Sequence, residues 1–305
     1  MPPKLMLIDS AGLYFRAFYG MKDSVTASDG TPVNAVRGFL DFITRLVTDH
    51  SPTELVCCWD DDWRPEFRVA AIPSYKAHRV AATPESGEEV PDQLEIQVPI
   101  IVDVLAALGI TRLGSPGYEA DDVIGTLANR SLIPVDVVTG DRDLFQVIDD
   151  ARQVRVLYTA KGGVANATVV NEAYVLATYG IPGRSYADFA ALRGDPSDGL
   201  PGVPGVGDKT AAALISLYGT LEGVIAAAQA RDAATRSSVH DKVLAAQDYL
   251  AVAPRVVQVA LDVPLASTSH VLPTQPADLE TLFELADRWN LRSSVNRVVA
   301  ALAQR

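Results

Sequence analysis

The sequence predicts an α/β protein: a mostly parallel central sheet covered by helices, followed by a helical region. Three observations predict it. Short apolar runs alternate with segments of helical period. The runs at 5–8, 55–59 and 135–138 each lead into acids. From about residue 176 the composition shifts to helices and loops, so the division falls at 1–176 and 177–305.

Residues 5–8 read as a buried first strand ending at Asp9. Residues 10–18 read as a loop leading into a helix. Phe15 and Arg16 there suit contact with a nucleotide, by stacking and ion pairing; core packing is the alternative for Phe15. Asn34–His50 is helical, with Val36, Phe39, Leu40, Ile43 and Val47 on one face. The second strand, 55–59, ends at Asp60, the first of three consecutive acids. Residues 64–79 are the most basic stretch: Arg64, Arg68, Lys76, His78 and Arg79, with Phe67 and Tyr75 between them. Such interleaving suits an element that grips a nucleic-acid backbone; a solvated loop is the alternative. Residues 81–91 turn small, acidic and proline-containing, as a flexible segment does. A helix over 93–108 stops at Gly109, and 110–113 is a short strand.

Two stretches then form the centre of the chain. Residues 118–127 read Y-E-A-D-D-V-I-G-T-L, and 135–145 read V-D-V-V-T-G-D-R-D-L-F. They put Glu119, Asp121, Asp122, Asp141 and Asp143 within 25 residues. Val123, Ile124 and Leu127 follow at helical spacing, so the first three acids open a packed helix. Residues 135–138 are a buried strand that Thr139-Gly140 ends. Asp141 and Asp143 thus lie just past its carboxyl end, where open α/β sheets bind ligands. Helix capping or the macrodipole explains any one of these acids. Five together repel one another unless cations sit among them. Clustered oxygen ligands suit a hard cation such as Mg²⁺, and five acids suggest more than one ion.

Asp195 and Asp198 add two acids in D-P-S-D-G-L-P, and 202–210 read G-V-P-G-V-G-D-K-T before an alanine-rich helix. This is not a Walker A loop, because Asp208 separates Lys209 from the last glycine. It reads as a glycine hairpin feeding a helix N-terminus, whose N–H groups can hold a phosphate; a plain helix-joining turn is the alternative. Residues 221–256 are helical, 278–291 form a final helix, and no internal repeat appears.

Composition limits the partners. Hydrophobic content of 48% and charge of 21% over 305 residues are ordinary for a soluble globular chain. No apolar run approaches the roughly 20 residues of a membrane span. The N-terminus is too short and too soon acidic for a signal peptide. Cys57 and Cys58 are adjacent within an apolar run and fit core packing, not a disulfide framework or zinc site. A reducing cytoplasm and no membrane contact are expected. With Asp9, Asp60, Asp195 and Asp198 joining the five central acids, nine of the 38 acids are candidate ligands. The other 29 face 26 bases, a net of −3 against −12 overall. The charge therefore leaves a nucleic-acid partner open.

In this order the motifs resemble the 5′-nuclease family: flap endonucleases and the 5′→3′ exonuclease domain of bacterial DNA polymerase I. The match runs from L-I-D at 7 to about residue 260. It includes F-R at 67, Y-K-A-H-R at 75, E-A-D-D-V-I-G-T-L at 119, T-G-D-R-D-L at 139 and G-D-P-S-D-G-L-P-G-V-P-G-V-G-D-K-T-A at 194. No polymerase sequence follows within these residues, so a free-standing bacterial 5′-nuclease is expected. The resemblance implies a PIN-like nuclease core with a C-terminal helix–hairpin–helix region. By position, Asp9, Asp60, Glu119 and Asp121 would hold one Mg²⁺ or Mn²⁺ ion. Asp122, Asp141, Asp143, Asp195 and Asp198 would serve a second ion or its water shell. Lys76 and Arg79 match the basic helix that grips the scissile phosphate, and Phe15 matches an aromatic that stacks on the 5′ nucleotide. Gly202, Gly205, Gly207, Lys209 and Thr210 match the hairpin that holds duplex backbone, often with K⁺. Arg16, Arg64, Arg68 and Tyr75 complete the expected DNA contacts.

The family usually reads Asp-Gly after the first strand and Ser-Asp-Asn in the last acidic motif. Here these are Asp9-Ser10 and Ser197-Asp198-Gly199, and neither change removes a carboxylate. The acidic segment 85–89 has no place in the family pattern. The implied function is metal-dependent, structure-selective hydrolysis of DNA phosphodiesters in replication and repair. The implied enzyme is a monomer acting at 5′ flaps, nicks or 5′ ends, with two ions about 4 Å apart flanking the phosphate. The alternatives are a catalytically silent DNA-structure-binding protein of this fold and a ribonuclease of the same fold class.

Overall fold

The computed structural model describes residues 2–21, 25–80 and 91–304; the expectation for 81–91 lies almost entirely outside them. Six strands form one sheet: β1 Leu5–Asp9, β2 Glu54–Cys58, β3 Thr111–Leu113, β4 Val135–Thr139, β5 Val154–Tyr158 and β6 Thr168–Val170. Their order is β3-β2-β1-β4-β5-β6. All neighbours are parallel except the antiparallel β5–β6 pair. The order reverses between β1 and β4, which leaves a crevice at their carboxyl ends.

The central strands are mostly apolar because both faces of the sheet are covered, and the one acid inside β4, Asp136, is ion-paired to Lys4 and Arg155. Leu5 and Leu7 join one core cluster, and Met6 and Ile8 the other. The same alternation sends Cys58 to the first cluster and Cys57 to the second, so both cysteines pack in the core. Burial pushes the Cys57 thiol up to about 12.

Helices α1 Ser10–Gly20, α2 Asn34–His50 and α5 Val98–Leu108 cover the second face. The expected loop at residue 10 is absent, because Asp9 ends β1 and caps α1 at once, accepting the Gly12 N–H at 2.9 Å. The expected helix over 93–108 is two pieces, α4 Asp92–Glu95 and α5. Pro99, in the first turn of α5, has no N–H to continue the earlier turn. Buried Gln97 fills the join and accepts the Ala35 N–H at 2.8 Å.

The first face is covered by α3 Glu66–Ala71, α6 Ala120–Arg130, α7 Glu172–Tyr179 and α8 Tyr186–Arg193, then α9 Asp208–Tyr218 and α10 Leu221–Ala230. The helices α11 Ser237–Ala245, α12 Gln247–Val252 and α13 Pro254–Val257 complete that layer. The stretch 221–256, expected to be helical, forms four helices, broken at left-handed Arg231, at Ala246 and before Pro254. The expected last helix is α14 Leu279–Arg288, and a further one follows, α15 Arg292–Ala303. Leu282, Ala286, Val295 and Val298 of this pair pack into the second-face core with α2 and α5. Among the described residues no single helix is long and apolar enough to cross a membrane.

Candidate active site

A cleft of about 470 Å³ opens at the carboxyl ends of β1, β2 and β4, lined by Asp9, Asp60, Glu119, Asp121, Asp141 and Asp195. Phe15, Trp63, Lys76, Arg79 and Arg142 complete its wall. A larger groove of about 660 Å³ lies at the opposite end of the sheet. Its buried acid, Asp136, is already paired with Lys4 at 3.2 Å and Arg155 at 2.7 Å.

Each acid is set by a local feature of the chain. Asp9 Oδ2 accepts the Thr139 hydroxyl across β1 and β4 at 2.8 Å. Gly12 permits this, since a Cβ there would lie 2.4 Å from Asp9 Oδ2. Asp60 Oδ1 accepts the Ala120 N–H at the start of α6, at 2.8 Å. Glu119 is the N-cap of that helix, in a capping box with Asp122. The Asp141 N–H bonds Thr139 Oγ1 at 2.9 Å, and Asp141 Oδ1 accepts the Asp143 N–H at 2.8 Å. Asp195 Oδ1 accepts the Ser197 N–H at 2.9 Å, while Arg193 reaches Oδ2 at 3.2 Å. Arg79 binds Asp198 Oδ1 at 2.7 Å.

Burial and mutual repulsion dominate the electrostatics. Burial raises Asp9, and pushes Asp60 up to about 7 against the Ala120 hydrogen bond. Burial and then the Asp141 charge raise Asp121 and Asp143 well above the ordinary range. Burial raises Asp198 too. For Lys76 burial alone would lower the pKa, but the Glu119 and Asp198 carboxylates outweigh it. Its ammonium group bonds Glu119 Oε1 directly.

Among the described residues, no three acid, cysteine or histidine side chains close into a metal cage. Lys76, Arg79 and Arg193 stand between the acids instead. The donor set still fits a hard divalent ion. It is all oxygen, partly desolvated and short of counter-charge. Mg²⁺ keeps several waters and binds through one or two carboxylates rather than a closed protein cage.

Several expected site residues lie elsewhere. Asp122 is fully buried and turned away from the cleft. Its Oδ1 accepts Arg68 Nη2 at 2.7 Å and the Ala260 N–H at 2.8 Å. Its Oδ2 accepts Arg68 Nη1 at 2.7 Å and the Glu119 N–H at 3.1 Å. Four donors fill a carboxylate's acceptor sites, so Asp122 has none left for a metal. Arg68 is 2% exposed and cannot meet DNA. Tyr75 is buried, with its hydroxyl on Glu119 Oε2 at 2.7 Å. Arg64 braces its own loop through the Tyr75 and Pro73 carbonyls, at 2.6 and 2.9 Å.

Phe15 is half-buried, lines the cleft and stacks on Tyr14 at 5.4 Å between centroids, so core packing does not describe it. Arg16 reaches the Ala160 carbonyl at 3.3 Å. The glycine hairpin joins α8 to α9, with Gly205, Gly207 and Lys209 exposed and Thr210 half-buried. Gly202 is a packing residue: its φ is +65°, and a Cβ would come within 2.5 Å of the Arg193 backbone.

Thr139, Gly12, Trp63, Arg142 and Arg193 also shape the site and were not among the expected residues. Arg142 and Arg193 carried a signal, since one lies between Asp141 and Asp143 and the other two before Asp195.

Together fold and site define an α/β protein with a carboxylate cleft, cations among the acids, at the switch point of a parallel sheet. Models of the "5'-3' exonuclease, N-terminal resolvase-like domain" and the "5'-3' exonuclease, C-terminal SAM fold" match residues 4–180 and 181–280. The chain belongs to the 5'-3' exonuclease family. It is 57% identical to a 5'-3' exonuclease of Streptomyces coelicolor over 300 residues, 97% of this chain and 99% of that one. It is 50% identical to a 5'-3' exonuclease of Mycobacterium tuberculosis, covering 99% and 98% of the two chains. DNA polymerase I of Mycobacterium bovis is 40% identical over 99% of this chain, which is 32% of that protein.

Among solved structures, the T5 D15 protein co-crystallized with metal ions matches with TM-score 0.63 at 14% identity, covering 99% and 98% of the chains. The catalytic core of Rad2 in complex with DNA substrate matches with TM-score 0.63 at 15% identity, covering 99% and 92%. At such identity the likeness is one of fold.

Proposed function

We propose that this chain is a divalent-metal-dependent 5′→3′ exonuclease and flap endonuclease hydrolysing DNA phosphodiesters. One observation carries the reading. Acids from separate segments of the chain (Asp9, Asp60, Glu119, Asp121, Asp141 and Asp195) line one cleft with Lys76 and Arg79 among them. Asp9, Asp60, Glu119 and Asp121 would hold one ion, with Asp141, Asp143, Asp195 and Asp198 serving a second. Mg²⁺ or Mn²⁺ bound there would lower the pKa of a water and offset charge on the leaving 3′ oxygen.

The chain's own groups would do the positioning. Lys76 and Arg79 are each held by a carboxylate, and a phosphate oxygen would compete for them. Phe15 would stack on the terminal base. The exposed hairpin around Gly205, Gly207, Lys209 and Thr210 would hold duplex backbone, with K⁺ as a bridging ion. The segment 177–305 would thus serve as the duplex-binding region. A monomer suffices, since one chain supplies all these groups.

The test is the double variant Asp141→Asn, Asp143→Asn. Cleavage of a 5′-flap substrate in Mg²⁺ should collapse. DNA binding in EDTA should hold or tighten, because two charges that repel phosphate are gone. Near wild-type cleavage by this variant would sink the two-ion reading. A wild-type protein that binds flaps but cuts nothing would leave only a silent DNA-structure-binding protein.

A further inference from the structure

Arg68 heads the fully buried side chains by volume, yet it does not line the cleft. Its guanidinium is committed in every direction. Nη1 donates to both Glu119 Oε2 and Asp122 Oδ2 at 2.7 Å. Nη2 donates to Asp122 Oδ1 at 2.7 Å and to the Gln258 carbonyl at 3.3 Å. Nε donates to the Val256 carbonyl at 2.9 Å. Tyr75 adds its hydroxyl to Glu119 Oε2 at 2.7 Å. The inner oxygen of Glu119 therefore has two donors, and Oε1 is the oxygen that meets Lys76 at the cleft.

We propose that Arg68 is a positioning residue, which with Tyr75 and Asp122 fixes Glu119 so that Oε1 faces the cleft for a divalent ion. The proposal rests on the reading of Glu119 as a metal ligand. Asp122 is the anchor of the cluster: it orients the guanidinium in bidentate fashion and takes the Ala260 N–H from the chain beyond α13. The segment that follows α13 is thereby tied to one active-site carboxylate. Arginine suits the task because its planar fork bonds both acids and two carbonyls at once; lysine presents a single nitrogen. Groups that hold a metal ligand in place typically change metal affinity 10- to 100-fold when they are lost.

The experiment is a calorimetric Mn²⁺ titration of the full chain as wild type, Tyr75→Phe, Arg68→Lys and Glu119→Gln. Tyr75→Phe keeps the ring in the core and removes one hydrogen bond, so it remains informative even where Arg68→Lys fails to fold. Both positioning variants should bind Mn²⁺ about 10- to 100-fold more weakly. Their single-turnover cleavage should recover as Mn²⁺ is raised, while DNA affinity in EDTA stays at the wild-type value. A weakened Glu119→Gln beside wild-type Mn²⁺ affinity in Tyr75→Phe overturns the positioning role alone. An unchanged Glu119→Gln overturns the ligand reading and the proposal with it.

Discussion

Thr139 links the two strands at the switch point of the sheet. Its hydroxyl donates to Asp9 Oδ2 at 2.8 Å, and the same oxygen accepts the Asp141 N–H at 2.9 Å. Thr139→Val keeps the branched shape and loses both bonds. A hydrogen bond to a charged group contributes about 1.5–3 kcal/mol. The Thr139 bond lowers an Asp9 pKa that burial has raised, so its loss raises that pKa further. Mn²⁺ affinity at pH 7 should fall by about tenfold and Tm by several degrees. Thr139→Ser should restore most of both. Wild-type affinity in Thr139→Val would show that the bond is idle.

The raised carboxylates also set a pH dependence. Burial pushes Asp60 up to about 7, against an ordinary value of 3.8. Its folded pKa lies above the unfolded one, so its stabilising contribution is complete below about pH 4 and is lost as pH rises through 7. Asp9, Asp121 and Asp143 shift the same way. The metal-free protein should therefore lose stability from Asp60 between about pH 4 and 7, and the other three act in the same direction as pH rises. Divalent ions displace the protons, so the Tm gain from Mg²⁺ should grow over that window. Melting curves in EDTA and in Mg²⁺, pH by pH, measure both trends. A Mg²⁺ gain that is flat from pH 5 to 8 would contradict the buried-cluster electrostatics.

Lys76 and Arg79 answer a question of timing. Both line the cleft and each is ion-paired to a carboxylate, Lys76 to Glu119 and Arg79 to Asp198. If they clamp the reacting phosphate, they act mainly in the transition state. Lys76→Ala and Arg79→Ala should each slow single-turnover cleavage by about 10²-fold or more. Duplex affinity should change much less. Equal losses in rate and affinity would make them ordinary backbone contacts.

Much of this was legible in the sequence, and the failures have physical causes. The runs at 5–8 and 135–138 are mostly apolar because both sheet faces are covered, so their ends located Asp9, Asp141 and Asp143. Position along an element was readable, but the direction of one side chain was not. Asp121 and Asp122 are neighbours on α6, about 100° apart around its axis, so one lines the cleft and the other turns inward. A signal for Asp122 was present, since Glu119 and Asp122 have the N-cap to N3 spacing of a capping box. In the sequence Arg68 reads as a surface cation, because charge predicts exposure unless a partner is known. Its partners lie 51 to 190 residues away in sequence. The short β5 and β6 and the breaks within 221–256 were missed, since three to five residues or one left-handed Arg231 leave little periodic trace.

The hairpin glycines make separable predictions. Gly205 has φ +76°, and a Cβ there would lie 2.8 Å from Lys242 Nζ. Gly207 has φ −100° and open space around it. Gly205→Ala should lower stability by about 1–2 kcal/mol through the left-handed backbone. Gly207→Ala should melt with the wild type yet bind duplex-armed substrates more weakly, because its Cβ would stand off an approaching phosphate. Cleavage of short single strands by Gly207→Ala should be nearly unchanged. Full duplex affinity in Gly207→Ala would remove the hairpin from the DNA interface.

The adjacent acids of α6 give the sharpest contrast. Asp121 faces the cleft, and burial together with the Asp141 charge raises its pKa well above the ordinary range. Ionising it costs stability, so at pH 8 without metal Asp121→Asn should melt higher than the wild type, while cleavage collapses. Near pH 4 the two should melt alike, because Asp121 is then protonated. Asp122 is bonded to Arg68 through both oxygens. Asp122→Asn leaves a buried guanidinium without its full partner and should cost about 3–5 kcal/mol. Where folded, it should regain cleavage as Mg²⁺ is raised, since it removes no ligand. Thermal melts beside metal-titrated cleavage separate the two variants. A stable Asp122→Asn whose cleavage stays as low as that of Asp121→Asn at every Mg²⁺ concentration would return Asp122 to the metal ligands.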